Sequence, residues 1–435
     1  MKALHTDLYQ LTMAAGYFES GRTSDIAVFE LFVRRLPPNR DYLIAAGLEQ
    51  AVEYLVNLRF EPSQVDYLRT LPQFQRASEA FWDYLLAFRY TGDMFAMPEG
   101  TPFFAGEPVV TIRAPIIEAQ IPETCLLSVI GYQSMIAAKA ARIVSVSEGR
   151  SVIEFGTRRG HGPGAGVQAG RAAYIAGCDG TSNVESGYRY KVPVFGTCAH
   201  SWVLSFSTEI EAFRCLQELL GPGTVYLIDS YDTVEGARRA ASLGRPLWGV
   251  RLDSGDLGEL SRKVRSILDD AGLHDAKIMA TSDLNENRIA ELLAGGAPID
   301  AFGVGTELTT SFDAPALPVV YKLVEVSTGG ERRLVAKYSA DKRTYPGAKQ
   351  VFRYKNRDVI GTMDECGGGL TGEGDAQALL RPILLGGKLT EALPSTAAIR
   401  QSCTEARTRV SASHTVEYSE RLRALADRHQ NDGNA

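Results

Sequence analysis

Residues 225–272 read VYLIDSYDTVEGARRAASLGRPLWGVRLDSGDLGELSRKVRSILDDAG and carry the pattern that decides the fold. Two short apolar runs, VYLID (225–229) and LWGVRLD (247–253), are typical of buried strands. The segment LGELSRKVRSILDDAG has helical spacing and ends at Gly272, a residue type that often terminates helices. This alternation predicts a parallel sheet, because parallel neighbours need a long crossover connection, usually a helix.

The same alternation continues on both sides of this stretch. Further strands are predicted at SVIEFG (151–156), VPVFGT (192–197), KIMATSD (277–283) and IDAFGVGT (299–306), with a weaker one at GCDGT (177–181). Six or seven such units favour a closed or nearly closed barrel over an open sheet. A doubly wound sheet is the alternative, although no GxGxxG fingerprint follows any of the strands.

The two ends of the chain predict a unit of different construction. The N-terminal third mixes helical patterns with strands that are punctuated by glycine and proline, which is typical of an α+β domain. The C-terminal part is less regular and contains a strand within 340–354 and the glycine-rich loop CGGGLTGEGD at 366–375.

The composition is that of a globular protein without an extended basic surface. Of 435 residues, 45% are apolar and 23% charged, and the formal net charge is −6, which argues against general binding to nucleic acid or membrane surfaces. No apolar run approaches the roughly 20 residues of a membrane span, and the first residues lack the apolar core of a secretory signal. The six scattered cysteines form no CxxC pair and predict reduced thiols in a cytoplasmic protein.

Charged residues collect at the predicted strand ends, where barrel enzymes place their active sites. Arg158, Arg159 and His161 follow the first strand in the glycine-rich segment EFGTRRGHGPGAG (154–166). Guanidinium groups bind carboxylate or phosphate in a bidentate manner, and glycines let the backbone approach a ligand. A solvated basic turn is the alternative interpretation of this loop.

A histidine and several acids follow later strands. His200 lies between small residues in GTCAHSW (196–202), at a strand end where a packing residue would be apolar. Two further strand ends carry the acids Asp229, Asp232, Asp253 and Asp256. Such carboxylates can hold Mg²⁺ bound to a polyphosphate, bind ribose hydroxyls or offset a cationic transition state. The alternative is that one acid of each pair caps the next helix.

The turn FGVGTELTTS (302–311) is rich in glycine and threonine and follows a late strand. This is the expected position of a barrel's phosphate site, made of backbone N–H groups and a helix N-terminus. Together with the arginines, the acids and His200, it predicts an enzyme that handles an anionic, phosphorylated substrate with a divalent metal.

An ordered series of blocks resembles the nicotinate phosphoribosyltransferase family from residue 6 to about 355. The blocks are TDLYQLTM (6–13), EFGTRRGHG, DGTSNV, GTCAHSW, DSYDT, VRLDSGDL and FGVGTEL. The resemblance implies an α/β fold: an irregular α/β barrel at 116–334 that carries the active site, plus an α+β open-faced sandwich domain from 1–115 with 335–435.

The resemblance also implies a reaction. Enzymes of this family join nicotinate to 5-phosphoribosyl 1-diphosphate, which gives nicotinate mononucleotide and diphosphate on the way to NAD. ATP hydrolysis is coupled to the reaction through a phosphorylated histidine, and Mg²⁺ accompanies the phosphates. The implied assembly is a cytoplasmic homodimer with active sites shared between the subunits.

Carried over to this sequence, the resemblance assigns a role to each matching residue. His200 is the implied phosphohistidine, and Tyr9 is the ring that stacks on the pyridine from the partner subunit. Asp229 and Asp253 are the implied catalytic acids near the ribosyl and metal site, while the metal ligands themselves are left open. The implied substrate-binding residues are Arg158, Arg159, Ser182, Arg251, Ser254, Gly303, Gly305 and Thr306.

Three alternatives to this substrate assignment are kept. A nicotinamide phosphoribosyltransferase would carry an aspartate at position 182, where Ser182 stands, because a carboxylate accepts from an amide but repels a substrate carboxylate. A quinolinate enzyme would need a denser set of basic residues. A catalytically silent, nucleotide-binding barrel is disfavoured because His200, the arginines and all four acids are present.

Overall fold

The fold is known from a computed structural model, which describes residues 3–338, 344–365, 376–411 and 413–433. The chain forms two compact units. The first unit comprises Met1–Met135, Ala316–Pro394 and Ser402–Ala435, and the barrel unit comprises Ile136–Pro315 and Ser395–Gln401. The loop predicted at 366–375 lies outside the described residues, and the domain boundaries after 115 and 334 stay a prediction.

The N-terminal part of the first unit alternates helices with short strands. Its elements are α1 (Leu8–Glu19), β1 (Ile26–Val33), β2 (Leu43–Ile44), α2 (Leu48–Val56), α3 (Pro62–Arg69), α4 (Glu79–Ala87), β3 (Asp93–Ala96), β4 (Pro102–Phe103), β5 (Pro108–Pro115), α5 (Ile116–Gln120) and α6 (Glu123–Val146), the last of which runs on into the barrel unit.

The barrel unit repeats strand and helix. Its elements are β6 (Ser151–Glu154), α7 (Pro163–Ile175), β7 (Gly180–Thr181), α8 (Val184–Tyr190), α9 (His200–Leu204), α10 (Glu209–Leu220), β8 (Val225–Leu227), α11 (Thr233–Leu243), β9 (Gly249–Leu252), α12 (Leu257–Asp270), β10 (Lys277–Ala280), α13 (Glu286–Ala294), β11 (Ala301–Val304) and α14 (Thr306–Thr309).

The C-terminal part returns to the first unit. Its elements are β12 (Val319–Thr328), β13 (Glu331–Leu334), β14 (Lys349–Arg353), β15 (Arg357–Thr362), β16 (Gln377–Ala378), β17 (Arg381–Leu385), β18 (Lys388–Leu389), α15 (Thr396–Thr408), β19 (Thr415–Tyr418) and α16 (Glu420–Gly433). Among the described residues, none of these helices is both long and apolar enough to cross a membrane.

Antiparallel pairing organises the first unit. Its largest sheet has the order β13-β12-β1-β5-β3-β17-β18, and every neighbouring pair in it is antiparallel. The central strand β1 is apolar and mostly buried, and its Phe29 ring stacks on Tyr321 of β12 with centroids 4.8 Å apart. This mixture of an antiparallel sheet and flanking helices confirms the predicted α+β construction.

The barrel unit contains a six-stranded sheet in the order β7-β6-β11-β10-β9-β8, with every pair parallel. This order is the chain order read around a ring, with a gap between β7 and β8. The segment 192–198 lies in that gap: Val194 forms a parallel bridge with Thr181, and the Leu227 amide donates to the Cys198 sulfur. The predicted α/β fold with a parallel sheet is confirmed, and closure of this sheet into a barrel stays a prediction.

One predicted strand is wrong in detail. VPVFGT (192–197) forms only the single bridge at Val194 instead of a regular strand. Pro193 lacks an N–H group and so cannot donate to a ladder, although its carbonyl accepts from the Thr181 amide at 3.0 Å. The segment therefore lies beside β7 without forming a regular ladder, and residues 196–199 line the cleft described below.

Candidate active site

A cleft of about 580 Å³ lies at the carboxyl ends of the barrel strands. Its walls come from the ends of β6, β7, β9, β10 and β11, and from residues 192–199, which we call the irregular segment. The lining residues are Phe155, Thr157, Arg158, Arg159, Ser182, Gly196, Thr197, Cys198, Ala199, Arg251, Asp253, Thr281, Ser282, Asp283, Gly303, Gly305 and Thr306.

Most of the residues predicted for the site meet in this cleft. Those that line it are Arg158, Arg159, Ser182, Arg251, Asp253, Gly303, Gly305 and Thr306. His200, Asp229 and Ser254 are not part of the lining, but Asp229 is hydrogen-bonded to the two others and to the amide of Asp253, which does line the cleft. Tyr9 belongs to the first unit, where its side chain is 47% exposed, so its role at the site stays a prediction.

His200 is held by a buried acid. Its Nε2 atom lies 3.2 Å from Oδ1 of Asp229, whose side chain is almost completely buried. The other oxygen of Asp229 accepts from the Ser254 hydroxyl at 2.5 Å and from the Asp253 amide at 3.2 Å. Three donors therefore converge on this carboxylate, which fixes the imidazole relative to the loop after β9.

Arg251 connects that loop to the irregular segment. Its guanidinium lies 3.2 Å from Oδ2 of Asp253 and donates to the Thr197 hydroxyl and to the Cys198 carbonyl, the latter at 3.3 Å. The Thr281 hydroxyl donates to the other oxygen of Asp253. Arg251 and Asp253 are thus a preorganised ion pair in the cleft wall, since both are anchored from opposite sides.

The arginine loop begins with a glycine that the packing requires. Residues Thr157–Arg159 form a 3-10 turn directly after β6, and both Arg158 and Arg159 are exposed at its end. A Cβ atom at Gly156 would lie 1.6 Å from the Thr309 hydroxyl, so no other residue fits at this close approach. The turn therefore packs tightly on α14 and presents two guanidinium groups to the cleft.

The predicted phosphate turn also depends on close packing. Gly303 is the next-to-last residue of β11 and lies beside the ring of Phe155, where a Cβ atom would lie 2.5 Å from the ring. Gly305 follows, and Thr306 begins the short helix α14. Backbone groups are consequently exposed to the cleft between an aromatic ring on one side and polar side chains on the other.

The structure separates each pair of acids into two roles. Asp232 accepts from the Glu235 amide at 2.8 Å and caps α11, and Asp256 accepts from the Glu259 amide at 3.0 Å and caps α12. The hydrogen bond from the Glu259 amide also holds the pKa of Asp256 below its ordinary value. Asp229 and Asp253 are the members of the pairs that reach the site.

Sequence reasoning missed a polar turn after β10. Thr281, Ser282 and Asp283 line the cleft, and both Ser282 (φ 81°) and Asp283 (φ 46°) adopt left-handed backbone conformations. Such conformations are costly for residues other than glycine and often occur at functional sites. The signal was available in KIMATSD, where three polar residues follow an apolar strand.

Cys198 lines the cleft but is poorly suited to nucleophilic chemistry. Burial raises the pKa of its thiol, although the Leu227 amide and the Arg251 charge oppose that shift. A protonated thiol is a weak nucleophile. The ionisable groups best placed to do chemistry are therefore His200, the acids and the arginines.

A parallel α/β barrel with arginines, carboxylates and a glycine-rich turn in one cleft defines a class, namely enzymes that bind anionic, phosphorylated substrates. Residues 4–131 match the model of the nicotinate phosphoribosyltransferase N-terminal domain, and residues 151–360 match that of the nicotinate phosphoribosyltransferase family. The chain belongs to the nicotinate phosphoribosyltransferase family, as its sequence blocks predict.

Similar proteins span most of this chain. It is 47% identical over 394 residues to nicotinate phosphoribosyltransferase pncB2 of Mycobacterium tuberculosis, which covers 89% of this chain and 82% of the relative. It is 44% identical to the nicotinate phosphoribosyltransferase of Bacillus subtilis, with 83% and 76% covered. The crystal structure of human nicotinic acid phosphoribosyltransferase superposes with a TM-score of 0.84 at 28% identity and covers 97% of this chain and 99% of the human chain.

Proposed function

We propose that this enzyme transfers the phosphoribosyl group of 5-phosphoribosyl 1-diphosphate to the ring nitrogen of nicotinate, and that it does so in NAD salvage. The products are nicotinate mononucleotide and diphosphate. The observation that carries the proposal is that one cleft combines Arg158 and Arg159, Ser182, the Arg251–Asp253 pair and the turn at Gly305. The cleft thus offers groups for a carboxylate, a ribose and phosphates.

The arginine side of the cleft suits nicotinate. The flat face of Phe155 is available to a heteroaromatic ring, and the two guanidinium groups beside it can bind the carboxylate. Ser182 has a hydroxyl that donates to a carboxylate, whereas an aspartate at this position would repel it. These contacts favour nicotinate over nicotinamide.

The reaction requires little covalent chemistry from the protein. The bond between the ribosyl carbon and diphosphate breaks, and a bond from that carbon to the pyridine nitrogen forms, so positive charge develops on the sugar. Asp253 lies in the cleft wall where a carboxylate offsets this charge, and Arg251 and Thr281 hold it in place. No protein nucleophile has to attack the carbon atom.

The donors present fit a magnesium ion that arrives with the diphosphate. Among the described residues, no group of three or more His, Cys, Asp or Glu side chains is arranged to hold a metal alone. Mg²⁺ is commonly bound by one or two carboxylates together with waters and substrate phosphates. Asp253 and Asp283 both line the cleft and would supply such oxygens. Magnesium neutralises the leaving diphosphate when it is bound.

We further propose that ATP phosphorylates His200. In the tautomer whose Nε2–H donates to Asp229, the lone pair of Nδ1 is left to attack the γ-phosphorus of ATP. The new N–P bond replaces the bond to ADP, which leaves, and Asp229 stabilises the positive imidazolium. Hydrolysis of this phosphohistidine would couple ATP to the transfer.

The proposed enzyme is a cytoplasmic homodimer. Tyr9 is 47% exposed in the single chain, and its hydroxyl accepts a 3.3 Å hydrogen bond from the Gln10 side chain. This accessibility supports a role in which the partner subunit's Tyr9 stacks on the pyridine ring.

The deciding experiment is a product assay with nicotinate, nicotinamide or quinolinate, each combined with 5-phosphoribosyl 1-diphosphate and Mg²⁺, with and without ATP. We expect nicotinate mononucleotide as the main product and a higher yield in the presence of ATP. Preferential use of nicotinamide would overturn the substrate assignment. Failure to form product from any of the acceptors would favour a silent, nucleotide-binding barrel.

A further inference from the structure

Glu154 is a buried carboxylate at the carboxyl end of β6 whose bonding the proposed mechanism does not use. Its Oε1 atom accepts from the Gly156 amide at 2.5 Å and from the Thr309 hydroxyl at 2.7 Å. Its Oε2 atom accepts from the Thr181 hydroxyl at 2.5 Å. The side chain of Glu154 therefore joins three positions of the chain by hydrogen bonds, namely Gly156, Thr181 and Thr309.

Each of these segments carries part of the cleft wall. Gly156 starts the turn that presents Arg158, Thr181 directly precedes Ser182, and Thr309 ends the short helix that starts at Thr306. The backbone repeats this arrangement, because the Ser182 amide donates to the Glu154 carbonyl at 2.9 Å. The side of the cleft proposed for nicotinate and the side proposed for phosphate thus meet at one carboxylate.

The hydrogen-bond donors around Glu154 suit an ionised carboxylate better than a neutral side chain. A carboxylate only accepts hydrogen bonds, and all the groups that face it here can donate. The Thr181 hydroxyl accepts from the Asn183 amide at 3.0 Å and donates its own proton to Glu154. A glutamine would bring an NH₂ group against one of these donors. Burial raises the pKa of Glu154, and the three hydrogen bonds oppose that shift.

We propose that Glu154 is a positioning residue that sets the separation between the nicotinate-binding and phosphate-binding halves of the cleft. The hydrogen bond from Thr181, which we call the Thr181 arm, positions Ser182. The hydrogen bond from Thr309, the Thr309 arm, positions Gly305 and Thr306. The inference rests on the proposed function for the identity of the two ligands. It goes beyond that function because it assigns nicotinate to the hydrogen bond with Thr181 and phosphate to the hydrogen bond with Thr309. Glu154 itself contacts neither ligand.

The arms can be tested separately with isosteric variants. Thr309→Val removes one hydroxyl without changing the shape of the side chain. We expect the KM and Kd for 5-phosphoribosyl 1-diphosphate to rise about tenfold. The KM and Kd for nicotinate should change less than twofold. Thr181→Val is expected to do the reverse. Thr309→Ser and Thr181→Ser keep the hydroxyls and should restore wild-type values. Glu154→Gln should raise both KM values.

Thr91→Val is the matched control. Its hydroxyl also donates to a buried glutamate, Glu118, at 3.0 Å, but this pair lies in the first unit away from the cleft lining. The control is expected to lower the melting temperature and leave both KM values unchanged. If Glu154→Gln does not fold, the threonine variants still decide the question.

The outcomes separate the two proposals. Equal changes of both KM values in the Thr181 and Thr309 variants, or changes in melting temperature alone, would overturn the positioning role. Wild-type protein that binds 5-phosphoribosyl 1-diphosphate by calorimetry but forms no product would overturn the proposed function, while the Kd values of the variants would still test the arms. Wild-type protein that binds neither ligand would overturn both.

Discussion

The Nε2 atom of His200 lies 3.2 Å from Oδ1 of Asp229, and the two side chains differ sharply in exposure, 41% for the imidazole against 1% for the acid. The buried acid holds the Nε2 edge of the ring, while a large part of the imidazole stays exposed to solvent. This is the arrangement that a transient phosphate acceptor needs, since the ring must be held and yet be reachable.

His200→Ala should abolish covalent labelling by ATP. We expect wild-type protein incubated with γ-labelled ATP to retain acid-labile radioactivity and the variant to retain none, because the accepting nitrogen is lost. His274→Ala is the matched control, since His274 also lies 3.2 Å from an aspartate, Asp269, but is not part of the cleft lining. Labelling of His200→Ala at the wild-type level would place the phosphate elsewhere.

Asp229→Asn should lower the rate of phosphohistidine formation by ten- to a hundredfold, about the effect of losing a hydrogen bond to a charged group. The neutral amide cannot stabilise the imidazolium, and when its oxygen accepts from the Ser254 hydroxyl and the Asp253 amide, its NH₂ group faces Nε2 of His200 in place of an acceptor. Single-turnover labelling measures this rate.

Asp232→Ala provides the comparison three residues away. Asp232 caps α11, so its loss should reduce the free energy of unfolding by about 1 kcal/mol and leave the labelling rate unchanged. Equal losses of activity in Asp229→Asn and Asp232→Ala would show that the division between site and cap is wrong.

Ser182→Asp should weaken nicotinate use far more than nicotinamide binding. Ser182 lines the cleft with Arg158 and Arg159, and a carboxylate there would repel the carboxylate of nicotinate and pair with the arginines in its place. We expect kcat/KM for nicotinate to fall at least tenfold. Ser182→Asn separates charge from size, because it adds similar bulk without charge. Similar losses with both substrates would contradict the assignment of this wall.

Glu107→Gln should change how stability depends on pH. Glu107 is completely buried, and burial together with the neighbouring Asp358 carboxylate raises the pKa of Glu107 well above its ordinary value. The folded state therefore holds this proton more tightly than the unfolded state. The stabilisation is complete below the unfolded pKa and is lost as pH rises through the folded pKa.

The glutamine keeps a donor toward Asp358 and has no proton to lose. Wild type should therefore become less stable relative to Glu107→Gln as pH rises from 4.5 through the folded pKa of Glu107, by about 1.4 kcal/mol per pH unit until the folded state also loses the proton. Urea unfolding at several pH values measures the difference. A constant difference across this range would show that Glu107 does not carry the proton.

The local pattern predicted most of the strands and the residues at their ends. Apolar runs such as the one at 225–229 form strands in any barrel of this kind, and the polar residues after them meet because parallel strands share one carboxyl edge. Arg158, Arg251 and the turn at Gly305 could be placed at one edge of the sheet on this basis, whereas Ser182 was named only through the family resemblance. The irregular course of segment 192–197 could not be predicted in this way. Whether a segment that contains Pro193 pairs with an adjacent strand depends on the residues around it in the folded protein.

Other features depended on contacts between distant parts of the chain. The local pattern could not tell Asp229 from Asp232, since both follow the same strand and either acid could cap the helix, and only the family resemblance favoured Asp229. The polar turn at Ser282 adopts its left-handed backbone only in the folded context. Glu154 looks like one more strand residue until Thr181 and Thr309 come to face it across the barrel end.

The sequence by itself determined the alternation of strands and helices, the family and the set of residues available for chemistry, because periodicity and side-chain type are local properties. Only the tertiary structure decided which acid faces His200, which acids cap helices and which buried carboxylate joins the two halves of the cleft. Those outcomes depend on distances between strand ends far apart in the chain, and such distances are set by packing around the barrel.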